Sequence, residues 1–236
     1  MNIITNTLAL LFAVQALTAS ASSGFFKNEW LDGHNELRLK YQTTLNKKEV
    51  VNVQWSQGLA NLAKTWATGN AALCKNRAGN DGGYGRNGSM RAGTTTTLTP
   101  DWALQKWELT KSLGYPANGA LTQAIWRPTE YIGCYIAANA TSATGKPCSA
   151  AVCYYAKPGN CNMGGASGNT LAANQVWRKK TFADDSGCTP ACPPDGCKDG
   201  STGSTPSTKK PSIKKPSTKK PSKKPSKKPI TMDPKM

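Results

Sequence analysis

Histidine is nearly absent from this chain: His34 is the only one in 236 residues. A zinc site drawing two imidazoles from one molecule is therefore excluded. Acids are scarce as well. There are 13 Asp and Glu against 30 Lys and Arg, a formal net charge of +17, and no acids are paired at positions that suggest a metal or acid–base site. A Gly-x-Ser-x-Gly elbow is missing, which removes the commonest sequence mark of a serine hydrolase. Long apolar runs are missing too. Leu8 to Leu17 is too short to cross a bilayer, which needs about 20 residues, and no later segment could do so.

What charge there is lies unevenly. The first 23 residues carry no charged side chain. From Lys198 onward, 12 lysines face only Asp199 and Asp233, giving +10 and leaving +7 for the rest of the chain. The uncharged start, with its apolar run and the small-x-small pattern Ala19-Ser20-Ala21, reads as a cleaved signal peptide over residues 1–21. Export would place the chain outside the cell, and eight cysteines then read as disulfides. A Cys–His dyad needs a free thiolate and is disfavoured for that reason. A Ser–His pair using His34 stays open, since such pairs are geometric, but no serine recommends itself.

Trp30, His34, Leu37 and Tyr41 recur at helical spacing, predicting a helix over Glu29–Tyr41 with His34 on its buried stripe. Gly33 within it costs about 1 kcal/mol against alanine, so a close approach is expected there. Val51, Val53 and Trp55 alternate as a short strand. Ser56 caps a second helix with Leu59, Leu62, Ala63, Trp66 and Ala67 on its apolar face, running to about Cys74. Arg77 to Thr99, rich in Gly, Asn and Thr, reads as a long surface loop. Thr99-Pro100-Asp101 opens a third helix whose apolar face is Ala103, Leu104 and Trp107. A short helix ends at Trp126. Two antiparallel strands follow, Tyr131 to Ile136 and Val152 to Tyr155, their residues alternating between two faces. Trp66, Trp107 and Trp126 are expected in the core.

Several runs resemble the CAP proteins, the superfamily of cysteine-rich secretory proteins, antigen 5 and pathogenesis-related proteins. They are His34-Asn35-Glu36-Leu37-Arg38, Thr122-Gln123 with Trp126 and Gly133-Cys134, and Cys153 through Asn160. The resemblance covers roughly Lys27 to Asn160. It implies an α+β fold, an α-β-α sandwich with a small antiparallel sheet between helices, and disulfides Cys74–Cys148 and Cys134–Cys153. If all eight cysteines pair, a bond must also tie the Cys188–Cys197 segment to the core. Relatives often line a cleft with two histidines and two glutamates that can hold a divalent metal. At the matching positions this chain keeps His34 and has Arg86, Thr110 and Ala120, so no metal or other cofactor is expected. His34 is read mainly as a buried structural residue and secondarily as ligand-binding. The resemblance also implies sterol or fatty-acid binding, as in some members, between helices or under a flexible loop, and the Arg77–Thr99 loop could roof such a site.

The chain thus divides into a signal peptide (1–21), a CAP-like domain (24–165), a cysteine-containing extension (166–197) and a disordered tail (198–236). In the tail, Lys-Lys-Pro runs begin at Lys209, Lys214, Lys219, Lys223 and Lys227, a composition that favours an extended chain. Such a tail could hold an anionic cell-wall or membrane surface; nucleic acid is not expected for an exported chain. Two sequons, Asn87-Gly88-Ser89 and Asn139-Ala140-Thr141, are candidate glycan sites, with Asn139 the better. The expectation is a secreted, non-enzymatic protein that binds a lipid or another extracellular ligand, in defence or in host or wall interaction. Its rival is a wall- or matrix-anchored structural protein that binds polyanions through its tail, and an extracellular hydrolase ranks below both.

Overall fold

The computed structural model describes residues 22–46, 50–79, 81–93, 98–143, 145–161 and 188–198. The expected signal peptide, the part of the extension before Cys188 and the tail from Asp199 lie outside the described residues. Helix α1 spans Lys27–Asn46, strand β1 Gln54–Trp55, α2 Gln57–Leu73, β2 Gly85–Ala92 and α3 Pro100–Glu108. A 3-10 turn, Leu109–Ser112, leads to α4 (Gly119–Ala124), β3 (Tyr131–Thr141) and β4 (Pro147–Ala156).

The caps act as the sequence suggests. Ser56 Oγ accepts the Leu59 amide at 3.0 Å and opens α2. Thr99 accepts from Trp102 at 3.2 Å, with Pro100 in the first turn of α3. A left-handed Cys74 closes α2.

The four strands pair in the order β1-β3-β4-β2. β3 and β4 are antiparallel, with Cys134 opposite Cys153. Two features depart from expectation. β1 pairs parallel to β3, so the sheet is mixed rather than wholly antiparallel. The Arg77–Thr99 stretch is not a continuous loop either, because its middle forms the edge strand β2, antiparallel to β4 from Gly85↔Tyr155 to Ala92↔Cys148. Pairing with β4 supplies what Gly-Arg-Asn-Gly-Ser-Met-Arg-Ala lacks in strand propensity.

Alternation along β3 and β4 creates two cores. Ile132, Cys134, Ile136, Ala151, Cys153 and Tyr155 face α1, α3 and α4, with Trp30, Trp107 and Trp126. Ala137, Ala150, Val152 and Tyr154 face α2, against Leu59, Ala63, Ala67 and Ala71. Helices thus cover both faces of the sheet. Gly133 lets α2 lie directly on β3, since a Cβ there would collide with the backbone at Ala60.

Arg38 ties the α1 side together. It is fully buried, and its guanidinium donates to the carbonyls of Val51 (2.5 Å), Trp126 (2.8 Å), Arg127 (2.9 Å) and Thr129 (3.0 Å). One planar fork thereby joins α1 to the segment before β1 and to the turn between α4 and β3. Burial above all, with the neighbouring Arg127 charge adding to it, lowers its pKa to about 9; it stays a cation at neutral pH.

The disulfides are Cys74–Cys148, Cys134–Cys153, Cys161–Cys188 and Cys192–Cys197. The third makes the expected link to the C-terminal cysteines, which pack back onto the domain. Asp195 accepts from Ser56 Oγ (2.5 Å) and from the Gly58 amide (3.1 Å), placing a carboxylate at the positive end of α2. The Lys157 amide donates to Pro190 O at 2.8 Å.

Candidate functional site

His34 sits on the inner stripe of α1, fully buried. Its Nδ1 lies 2.8 Å from Trp30 O, a group that can only accept, so Nδ1 carries the proton. Nε2, 3.0 Å from the Tyr155 hydroxyl, then accepts from it. Asn87 Nδ2 donates to the same hydroxyl oxygen (3.1 Å) and to Ala120 O (2.8 Å). Burial, the largest influence, pulls the imidazole pKa down to about 4; the Trp30 carbonyl opposes this and the Arg38 charge adds to it. Burial likewise pushes the Tyr155 phenol well up. Both rings are neutral at ordinary pH, and both imidazole nitrogens, the Tyr155 hydroxyl and Asn87 Nδ2 are engaged.

The four positions taken from the family cleft do not assemble. Ala120 meets the His34 network only through its carbonyl. Thr110 donates back to Trp107 O, three residues earlier, at 2.6 Å. Arg86 lies on the opposite face of the sheet, where it stacks 3.9 Å from the Trp66 ring centre and pairs with Asp81 at 2.6 Å. Arg77 stacks on the same indole at 4.5 Å. Trp107 and Trp126 are core, as expected, but Trp66 is only half-buried under these two guanidinium groups. The donor set that could hold a metal does not fit one: a neutral imidazole with both nitrogens engaged, an arginine facing away, a threonine and an alanine. Among the described residues no group of three or more His, Cys, Asp or Glu is placed to bind a metal ion.

The sequons fall differently. Asn87 is 5% exposed, with its Nδ2 occupied by the two bonds above. A glycan on that nitrogen would break both and could not be housed inside the fold. Asn139 lies on β3 where the pairing register shifts between Ala137 and Ala140.

One open feature beside α1 is a groove between α1 and α3, of about 490 Å³. Its floor is apolar: Phe26, Leu98, Pro100 and Leu104. Its rim carries Glu29, Asp32 and Glu36 from α1 and Asp101 from α3. Gly33 forms part of the wall because a Cβ there would strike the Leu104 side chain; this is the close approach the sequence implied. A narrower recess of about 180 Å³ shares Gly33, Glu36, Asp101 and Leu104 and runs on to Lys40 and Glu108. There Glu108 accepts from Lys40 (2.5 Å) and from Tyr41 (2.8 Å). Burial works to raise its pKa, but these bonds and the lysine charges outweigh that and hold it below the usual carboxylate value. Of the stretch expected to roof a lipid site, the end residues Leu98 and Thr99 reach the groove.

Sequence reasoning missed Tyr155 as the partner of His34, and it missed the groove acids. The spacing of Glu29, Asp32 and Glu36 at i, i+3 and i+7 was readable as one helix stripe. Asp101 joins them only through the packing of α3.

The fold is a mixed sheet between helices, bound by disulfides, with the His34 network inside it and an open groove beside α1. Residues 31–155 match the model of the CAP family, the cysteine-rich secretory protein family, and the chain belongs to that family. CAP proteins are typically secreted and generally non-catalytic. Among solved structures it is similar to MpPR-1i (23% identity, 61% of this chain and 96% of that one, TM-score 0.45). It is also similar to venom allergen-like protein 4 of Schistosoma mansoni (18%, 61% and 90%, TM-score 0.39). A third is NaASP2, solved with Zn2+ (16%, 67% and 94%, TM-score 0.42). At these scores the neighbours add nothing to the assignment, which rests on the family match. Comparison with curated proteins finds no match.

Proposed function

We propose that this is a secreted, non-enzymatic CAP protein that holds an apolar ligand, in the class of a sterol or fatty acid, in the groove between α1 and α3. It would act outside the cell, in defence or in contact with another organism or a cell wall. The observation that carries the reading is the apolar floor of Phe26, Leu98, Pro100 and Leu104 in a cavity of about 490 Å³, within the range of small-molecule sites. His34 would serve that site from behind. It packs against Trp107 of α3, ring centres 6.1 Å apart, and so helps set the separation of the two helices. Asn139 is the proposed glycan site.

Organic extraction of the purified protein followed by mass spectrometry tests the reading. A stoichiometric lipid, with uptake lost when Leu104 is replaced by Trp to fill the floor, supports it. Full uptake by the filled variant sinks it.

One observation favours a second reading: 12 lysines from Lys198 onward. In that reading the tail holds acidic wall polysaccharide or anionic lipid, and retention on such a surface disappears with salt or with removal of residues 199–236.

A further inference from the structure

We propose that the occupant of this groove is a cationic amphiphile, an organic amine with an apolar body; the inference rests on the groove reading above and narrows its ligand class. The chain has 13 acids against 30 basic residues, yet four acids, Glu29, Asp32, Glu36 and Asp101, meet around one opening, and among the described residues no Lys or Arg lines it. Asp32 and Glu36 stand one turn apart on α1, a like-charge placement that weakens a helix slightly. Asp101 accepts from Gln105 at 2.7 Å. Among the described residues, none of the four carboxylates forms a salt bridge. The cation at the far end of the recess, Lys40, is bonded to Glu108.

An incoming ammonium would therefore supply the charge the rim lacks, while its hydrocarbon covers Phe26, Leu98 and Leu104. A fatty-acid carboxylate would instead bring a like charge to this rim, a repulsion that low salt leaves least screened. An alcohol of the same length would gain the burial alone.

The test uses the full-length protein and three probes of equal chain length: dodecylamine, dodecanol and dodecanoate. Each is titrated calorimetrically below its micelle concentration at pH 7 and low salt. The expected order is amine, alcohol, carboxylate, with about tenfold between the ends, or about 1.4 kcal/mol. In Asp32→Asn/Glu36→Gln the advantage of the amine should shrink severalfold. Dodecanoate held by the lysine tail would be untouched by these substitutions, so the double variant reads the groove alone. Equal affinities for all three, or an amine advantage unchanged in the variant, overturn the cationic ligand and leave the groove reading standing. Failure of all three to bind overturns both.

Discussion

Two neighbouring residues of α1, Gly33 and His34, look into opposite kinds of space. His34 turns into an interior where its own two nitrogens are engaged, in a chain of bonds through Trp30 O, the Tyr155 hydroxyl, Asn87 Nδ2 and Ala120 O. Gly33 borders a groove whose floor is apolar and whose acids stand exposed at the rim. A buried polar set that is fully paired has nothing left to offer a ligand, and breaking it costs stability. An open apolar surface rimmed by charge can gain by being covered. Binding capacity is thus expected on the Gly33 side and folding energy on the His34 side.

The sharpest way to break this division is to cut the inner side at Arg38. Replacing it with methionine leaves the carbonyls of Val51, Trp126, Arg127 and Thr129 without their donor. Urea unfolding should show a loss of about 3–5 kcal/mol. Arg38→Lys should recover only part, because an ammonium cannot span four carbonyls held in a fork. A loss under 1 kcal/mol would mean that these strands and helices do not hang on this residue.

Protonation probes the same side. The unfolded imidazole titrates near 6.5 and the folded one near 4. Above pH 6.5 both are neutral. Between 6.5 and 4 the unfolded chain accepts a proton that the folded chain refuses, so stability falls as pH drops, by about 3 kcal/mol in all. His34→Gln should flatten the pH dependence of the melting temperature across that window. An unchanged slope would show that other groups set it.

Tyr155→Phe makes a smaller cut. It removes one hydroxyl that serves both His34 Nε2 and Asn87 Nδ2, at a cost of about 1–2 kcal/mol. Ligand uptake in the groove should be unaffected at temperatures where the variant is folded. Loss of uptake without loss of stability would reverse the assignment of the two sides.

Much of the scaffold was legible because its signals are local. Ser56 before an apolar face, Thr99-Pro100-Asp101 before another, and the alternation of Ile132, Cys134 and Ile136 each state their element within a few residues. Two disulfides followed from the family resemblance. β2 was not legible, since its strand state comes from β4 rather than from its own residues, and of its eight positions Asn87 is the buried one. The interior of the site was hidden for a related reason: His34 and Tyr155 are 121 residues apart. Position-by-position comparison placed Arg86 in the cleft, but alternation along an unrecognised strand sends it to the other face, where Trp66 receives it. The signal peptide and the lysine-rich tail are read from composition alone and fall outside the described residues.

The smallest expected effect separates the sides most cleanly. Asp32→Asn and Glu36→Gln each remove one member of a like-charged pair spaced one turn apart on an exposed helix surface. Such pairs weaken a helix by about 0.2–0.5 kcal/mol, so either variant should be as stable as the parent or slightly more stable at low salt, and the gain should fade as salt rises. Denaturant midpoints at two ionic strengths would show it. A loss above 1 kcal/mol would mean the carboxylates hold the fold through partners of their own, and the groove would then belong to the same structural network as His34. Stability kept while ligand preference changes is the pattern that only a binding surface produces.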